Sequence, residues 1–351
     1  MKAHSAYSLV RSPVHRKPPV QRQPLAQRQP QIQRQRGVAV IMALLLTTLA
    51  ITIVASLFWQ QQVQVRSIEN QRLQLQKQWI LRGALDWAAL ILREDKRHSN
   101  LNADTLDEPW AVPLAETRLD QYVEKGHADS DIADATLSGS ISDAQAHYNL
   151  RNLCNGGNID PLEVNVFAKI LTLAHLNPTL AQATAEEMAA TQKLSPADTQ
   201  NPQNPDTKLG QSEVMPMELT QVDDLLAVPG FTPEMLTKLK DFVIFLPHTT
   251  AVNVNTAPAE VLAAKVDGLT LDDARLLVEN RDKIATFKDP ADFSNRLPGT
   301  SHKILGSEIS VMTNYFLVNG KVRMNRVESE MQALIERKDD ANTILVSIRE
   351  Y

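Results

Sequence analysis

The chain has very little cysteine: Cys154 is the single one among 351 residues. One cysteine cannot form a disulfide within the chain, so the sequence does not indicate a fold held by covalent cross-links. We interpret Cys154 as a buried structural thiol; a reactive or intermolecular thiol is the alternative.

Catalytic motifs are also missing. The sequence contains no HExxH, GxSxG, phosphate-loop or CxxC motif, and none of its eight histidines has a partner at the spacing of metal ligands. The stretch NGGN at 155–158 is not followed by a phosphate-loop lysine and is typical of a turn. We therefore predict a protein that is not an enzyme.

Acidic residues are absent from positions 1–37, which carry eight basic residues. The remainder of the chain has 28 basic and 41 acidic residues, a net charge of −13. Positions 1–37 are rich in proline, glutamine and arginine without apolar periodicity, so we predict a basic disordered leader there. A basic segment on an acidic body indicates two compartments rather than one nucleic-acid surface.

Charge of either sign is absent from residues 38–59, VAVIMALLLTTLAITIVASLFW. A helix of this length spans about 33 Å, the thickness of a hydrocarbon core, and we predict a transmembrane helix. The basic leader keeps the N-terminus in the cytoplasm by the positive-inside rule. A secretory signal peptide would have a shorter apolar core and a small-residue cleavage site. A plain signal anchor is the closer alternative.

Proline is absent from residues 38–97, and Gly83 alone interrupts the helical pattern, at a modest cost. Apolar residues recur at helical spacing beyond the transmembrane segment, among glutamine, arginine and glutamate. We predict one helix of about 60 residues, in which 60–98 form the periplasmic half and pack on a globular domain.

The remaining sequence predicts an α+β fold. Alternation around 137–141 indicates a strand, and Asp160-Pro161 begins a helical stretch. Short strands are predicted at 309–318, 321–327, 331–337 and 343–349, with a hairpin turn at Asn319-Gly320. We assign 99–158 and 300–351 to an α/β domain and 159–299 to an inserted helical domain.

Two related turns lie inside the predicted insertion, at Gly230 and Gly268. Each is followed by a threonine and acidic residues that suit a helix start, so Thr232 and Thr270 are candidate N-caps. Thr256 is a third candidate, before Pro258. We predict two helix-hairpin-helix-like units.

Several segments, taken in order, resemble one family, the type II secretion minor pseudopilin K (general secretion pathway protein K). They cover most of the chain after residue 36 and comprise RGVAVIMALLL (36–46), DAQAHYNLRNL (143–153), residues 218–247, VNVNTAPAEVLAA (252–264), FKDPADF (287–293) and TNYFLVNGKV (313–322).

The resemblance implies a type IV pilin-like lollipop, in which the long N-terminal helix packs on an antiparallel sheet. It implies a single-pass inner-membrane protein with a periplasmic globular domain. The implied partners are the minor pseudopilins I and J, the major pseudopilin and the prepilin peptidase. The implied role is a place at the tip of the periplasmic pseudopilus and a part in protein secretion.

The stretch Arg36-Gly37-Val38 resembles a prepilin processing site, where the peptidase cuts after glycine. Ordinary pilins carry a glutamate at mature position 5, which pairs with a neighbour's terminal amine inside the fibre. Cleavage after Gly37 puts Met42 at that position. Methionine cannot neutralise a buried amine, so we expect no subunit above this one. The alternative is that Met42 is one more apolar anchor residue.

The family also tends to bind calcium in its helical domain, and we leave a calcium cofactor open. Calcium takes about six to eight oxygen ligands, and the corresponding stretch at 190–215 has only three acids, Asp198, Asp206 and Glu213. No ligand is assigned. Further acids that could contribute are Asp223, Asp224, Asp289 and Asp292.

Two other functions compete with the resemblance. The glycine turns are similar to DNA-binding helix-hairpin-helix units, which grip phosphate through backbone N–H groups. Neither turn has the second glycine, and acids outnumber bases around both, so we expect no nucleic-acid partner. A plain anchored scaffold is the other alternative; it predicts neither peptidase cleavage nor a pseudopilin partner.

Overall fold

The computed structural model describes residues 36–99, 103–119, 135–192, 218–299, 302–324 and 327–351. The predicted leader lies outside the described residues except for Arg36 and Gly37. The chain divides into two compact units, with the boundary after Ser67. The domain boundaries at 99, 159 and 300 stay a prediction.

One helix, α1, runs from Arg36 to His98 over 63 residues, as predicted. No proline interrupts it, and its last turn carries Lys96, Arg97 and His98, which suit the negative end of the helix dipole. From Gly37 to Ser67 every residue is exposed. Within the described residues, α1 is the one helix long and apolar enough to cross a membrane.

A five-stranded antiparallel sheet has the order β1-β2-β11-β12-β13. The predicted α+β class with an antiparallel sheet is confirmed. The sheet strands are β1 (Leu114–Arg118), β2 (Thr136–Asp143), β11 (Tyr315–Met324), β12 (Val327–Arg337) and β13 (Thr343–Glu350).

The second half of α1 packs on this sheet through one face. Leu81, Leu85, Ala88 and Leu92 recur every three or four residues and are buried against apolar side chains of β2, β11 and β12. Burial of a leucine is worth about 1.5–3 kcal/mol, so this face accounts for much of the attachment of α1 to the sheet.

The predicted hairpin at Asn319-Gly320 is wrong. Both residues lie in the middle of β11, which continues to Met324, and β12 begins at Val327. Gly320 pairs with Gly139 of β2. A Cβ on Gly320 would stand 3.6 Å from Leu81 Cδ2 of α1. Gly320 therefore lies in a strand close to α1 and does not form a turn.

Between β2 and β11 in the chain lies a block of short elements. Its helices are α2 (Pro161–Leu173), α3 (Leu180–Gln192), α4 (Pro233–Leu239), α5 (Ala259–Lys265), α6 (Leu271–Lys283) and α7 (Pro290–Asn295). Two-residue strands connect them: β3 (Tyr148–Asn149), β4 (Cys154–Asn155), β5 (Asn158–Ile159), β6 (Val243–Ile244), β7 (Val252–Asn253), β8 (Val266–Asp267), β9 (Lys303–Ile304) and β10 (Ile309–Ser310). Most of the buried apolar residues of the block form one continuous core, which includes Cys154.

Local capping signals were mostly interpreted correctly. Asp160 caps α2, and Thr270 caps α6 by accepting a hydrogen bond from the Asp273 N–H. Thr232 stands at the N-cap of α4 without a side-chain cap bond. Thr256 is not a cap, because its hydroxyl bonds to Asp143 and the N-cap of α5 is Pro258.

Candidate functional site

The predicted processing site lies in the first turn of α1. Gly37 has open space where a Cβ would stand, and Val38 is 55% exposed. Met42, one turn further on, is 59% exposed. All three positions are exposed or open, so a substitution here tests processing without disturbing a buried core. Cleavage between Gly37 and Val38 stays a prediction.

The threonine hydroxyls in the apolar run of α1 have hydrogen-bond acceptors within the helix itself. The hydroxyls of Thr47, Thr48 and Thr52 each donate to the backbone carbonyl three residues earlier, at 2.8–2.9 Å. Polar groups in a bilayer need partners inside the protein, because no water is available there. These threonines are therefore compatible with a membrane-spanning segment.

Past Ser67, α1 carries an uncovered apolar stripe. Its residues, which are 45–69% exposed, are Ile68, Leu75, Trp79, Trp87 and Leu90. At 100° per residue they fall within an arc of about 120°, on the side opposite the face buried on the sheet. A second apolar surface, exposed to solvent, thus runs along the helix. Its residues have the spacing of a face that packs against another helix.

A buried carboxylate joins the end of β2 to the helical block. Asp143 accepts hydrogen bonds from the Thr256 hydroxyl at 2.6 Å, the Asn253 amide at 2.8 Å and the Gln145 N–H at 2.7 Å. Burial raises the pKa of Asp143 to about 6, and the hydrogen bonds from Thr256 and Asn253 act in the opposite direction. The junction therefore contains an acid that titrates near neutral pH.

Buried amides replace backbone ladders in the block. Asn152 and Thr250 exchange two bonds, at 2.8 and 3.0 Å, and Asn255 and Phe287 exchange two, at 3.0 and 2.7 Å. Further amide bonds to backbone atoms are made by Gln145 to Ala251 and Asn314, and by Asn149 to Leu246 and His248. The segments 143–153 and 252–264 therefore supply several of the buried side-chain hydrogen bonds of the block.

The sequence analysis predicted no buried role for these network residues: it named Thr256 as a candidate cap and otherwise quoted both segments for their resemblance. A signal existed: polar residues alternate with apolar ones in VNVNT, and every polar side chain of that stretch is buried. Alternation of this kind indicates a strand with one solvent-exposed face. Here the polar side chains are instead buried and form hydrogen bonds within the protein.

A second buried charge cluster lies where α1 ends. Arg337 of β12 donates to Asp95 Oδ2 at 2.8 Å and to Asp104 Oδ1, and its guanidinium lies 4.6 Å from the Phe316 ring centroid. Burial raises the pKa values of Asp95 and Glu108, the third acid nearby. Asp95, Asp104 and Glu108 are close enough together to hold a metal ion, but Arg337 already supplies the positive charge.

A third pair is buried within the helical block. Lys265 of α5 donates to Glu163 Oε1 at 3.1 Å and to Ser307 Oγ at 2.8 Å, and both ionic side chains are at most 2% exposed. Burial lowers the pKa of Lys265, while the adjacent Glu163 raises it. The pair ties α2 and α5 to the segment that leads back to the sheet.

The acids considered for calcium have other partners. Asp224 accepts bonds from residues 220 and 221, Asp289 caps α7, and Asp223 and Asp292 pair with Lys240 and Arg296. Each of these four acids thus has a partner within the helical block. Asp198, Asp206 and Glu213 lie outside the described residues.

Both glycine turns pack against their own chain. Gly230 and Gly268 have φ values of 107° and 75°, which favour glycine. A Cβ at Gly230 would stand 2.8 Å from Leu180, and one at Gly268 would stand 3.4 Å from His302. The glycines are thus explained by local geometry and close packing, with no need of a phosphate ligand.

Comparisons with known proteins agree with one another. Models of the family "Type II secretion system (T2SS), protein K" match residues 146–248 and 252–312. The type II secretion system protein K of Pseudomonas aeruginosa is 26% identical over 325 residues, which are 87% of this chain and 89% of that protein.

A solved structure shares the fold. It is the crystal structure of the GspK-GspI-GspJ complex from the type 2 secretion system of enterotoxigenic Escherichia coli, in which one chain superposes with a TM-score of 0.53. The superposition covers 82% of this chain and 99% of that chain, at 19% identity. The two matched family models, the relative and the apolar N-terminal helix support one assignment: the chain belongs to the protein K family of type II secretion systems.

Proposed function

We propose that this chain is the minor pseudopilin that caps the tip of the periplasmic pseudopilus, as a non-catalytic component. The observation that carries the proposal is a single apolar helix with uncovered surface, followed in the same chain by a sheet and a large helical block. The helix is a single-pass anchor in the inner membrane, and the globular part lies in the periplasm.

The partners follow from the family and from the uncovered helix. The related solved structure is a complex of GspK with GspI and GspJ. By likeness, the minor pseudopilins I and J and the major pseudopilin are the partners here. The apolar stripe of α1, with Trp79 and Trp87, is exposed and offers their helices a packing surface.

Two features support the tip position. Met42 lacks the carboxylate that would neutralise the terminal amine of a subunit stacked above, and an unpaired charge in an apolar bundle is costly. The helical block adds more than 100 residues to the sheet domain between β2 and β11, and this bulk would obstruct another subunit.

The test is the N-terminal sequence and mass of the membrane-extracted protein, made with and without prepilin peptidase. With the peptidase we expect a mature start at Val38, N-methylated; without it we expect the full chain. Gly37→Asp should leave the chain uncut and abolish assembly with I and J. Gly83→Asp, the same change at another open glycine of α1, is the control and should be processed normally.

A chain that stays uncut in both samples would leave a signal-anchored scaffold and would remove the argument from Met42. Normal processing of Gly37→Asp would contradict the assigned site alone.

A further inference from the structure

The last strand of the sheet has an uncovered edge. β13, Thr343–Glu350, is bonded to β12 on one side, and no strand of the described residues pairs with its other side. Its exposed large apolar residues are Ile344, Leu345, Val346 and Ile348. Proteins usually protect such an edge with charges, bulges or a covering segment. Here the bulge at Val346 and the charges of Arg349 and Glu350 protect only part of it.

The register fixes what each side of β13 presents. Leu345 and Ile348 pair with Ile335 and Ala333 of β12 and line a groove of about 930 Å³ beside α1. The opposite wall of the groove contains Leu75 and Trp79 of α1. The helix thus covers the inner strands but leaves a channel along the outer one, whose lining is mostly apolar and also includes Arg82, Asp86 and Arg93 of α1 and Glu350 of β13.

The other face of β13 is polar and basic. Ser347, Arg349 and Tyr351 line a smaller cavity, of about 240 Å³, together with Lys240 and His147. Lys240 is paired with Asp223 at 3.2 Å, whereas Arg349 makes no ion pair with any described residue. One side of the edge therefore suits apolar side chains and the other suits acidic ones.

The unpaired backbone of β13 selects the conformation of an occupant. Tyr351 and Glu330 exchange both of their backbone hydrogen bonds, so by antiparallel alternation the N–H groups of Glu350 and Ile348 point away from β12. A strand can satisfy this row of donors and acceptors, whereas a helix lying in the groove cannot. Successive side chains of a strand point to opposite faces.

We infer that the outer edge of β13 binds an extended segment of a partner protein, with apolar residues on the α1 side and acidic residues on the Arg349 side. The segment adds a sixth strand to the sheet. This inference does not depend on the tip position, because it requires only that the edge be open in the periplasm.

The test uses the full chain in detergent and two labelled ten-residue peptides, one alternating isoleucine with glutamate and one alternating isoleucine with lysine. Binding is measured by fluorescence anisotropy. We expect the glutamate peptide to bind at least about tenfold more tightly than the lysine peptide, since facing a like charge disfavours association.

Four variants locate and define the binding. Leu345→Lys and Ile348→Lys should each weaken it at least about tenfold, because each puts a charge in the apolar groove. Ile284→Lys, an equally drastic change at the C-cap residue of α6, which is 78% exposed, is their control and should bind as the wild type does. Glu350→Pro removes one outward N–H and should weaken binding about fivefold, whereas Glu350→Ala keeps the N–H and should not.

Each contrary outcome overturns the inference. Binding that survives Glu350→Pro would mean an occupant held by the groove without strand pairing. Equal affinity for the two peptides would contradict the preference for acidic residues on the Arg349 side. No binding of either peptide would contradict strand addition at this edge. A dimer of the full chain that Leu345→Lys dissociates would identify a second copy as the occupant. Thermal melting of every variant checks that each still folds.

Discussion

The five-stranded sheet and the helical block pair their buried backbone groups in different ways. In the sheet, strands β2, β11, β12 and β13 of 8 to 11 residues bond to one another. In the block, helices have 6 to 13 residues and strands have two, so many backbone groups lie at element ends. Buried asparagine, glutamine and arginine side chains bond to them instead.

The difference predicts where each region is vulnerable. The sheet depends on apolar packing and on close approach, so it should be sensitive to volume and to added Cβ atoms. The block depends on single polar side chains, and removal of one leaves its partner buried without a bond. Four experiments test this contrast.

The largest effect is expected from two of the buried cations, Arg337 in the sheet and Lys265 in the block. Arg337→Met leaves two buried acids, Asp95 and Asp104, without their cation, whereas Lys265→Met leaves one, Glu163. Breaking a buried pair costs about 3–5 kcal/mol, so we expect Arg337→Met at the upper end and Lys265→Met at the lower. Urea unfolding measures both. Lys321→Met, at a surface pair with Glu330, is the control and should cost about 1 kcal/mol or less.

A smaller loss in the free energy of unfolding for Arg337→Met than for Lys265→Met would contradict this prediction. It would mean that the number of acids left without a cation does not determine the loss of stability.

The junction between the regions should respond to pH through Asp143. Its pKa is about 6 in the folded chain, above the ordinary 3.8 of an aspartate that an unfolded chain would show. The folded state therefore holds the proton more tightly, and this group favours folding increasingly as pH falls from about 6 to about 4. Relative to Asp143→Asn, the wild type should gain about 2 kcal/mol between pH 7 and pH 4.

Urea unfolding of both proteins across that range measures the change. A constant difference, or one that grows as pH rises, would contradict the raised pKa. The Asn variant itself controls for the other titrating groups.

Within the sheet, a single added methyl group should matter. A Cβ on Gly139 would stand 2.6 Å from the backbone oxygen of Asn319 in β11, so Gly139→Ala must push two strands apart. We expect a loss of about 1–3 kcal/mol, as for other overpacked sites. Gly83→Ala in α1, where no atom lies within 4 Å, should instead gain about 0.5–1 kcal/mol.

Thermal melting distinguishes the two signs. An unchanged melting temperature for Gly139→Ala would show that β2 and β11 can move apart at this position without loss of stability.

The smallest effects concern the two threonine caps of the block. Thr270 accepts a bond from the Asp273 N–H, and Thr232 makes no cap bond of this kind. Thr270→Ala should cost about 1 kcal/mol and Thr232→Ala a few tenths at most. Equal losses in urea unfolding would mean that the cap geometry does not decide the cost.

Much of the fold could be predicted because its signals are local. The absence of proline and the helical spacing of apolar residues predicted α1 almost to its last residue. Asp160 and Thr270 accept hydrogen bonds from backbone N–H groups only two or three positions further along the chain. The family assignment was also available from the order of its segments. The processing residues Gly37 and Val38 and the position of Met42 are sequence predictions, and cleavage stays one.

Other features depend on partners far along the chain. Asn319-Gly320 has the sequence of a turn, but pairing with β2, about 180 residues earlier, makes it part of a strand. Thr256 has the sequence of a cap, but Asp143, 113 residues away, takes its hydroxyl. In both cases a tertiary contact outweighs a local preference of about 1 kcal/mol.

The sequence by itself determined the anchor helix, the charge asymmetry, the α+β class and the family, because each follows from composition, short-range periodicity or ordered motifs. Tertiary structure alone decided which polar residues are internal, which glycine lies where an added Cβ would meet a neighbouring strand, and which strand is left at the edge. Those outcomes depend on what a side chain meets after the chain has folded, and a buried group gains or loses free energy according to that partner.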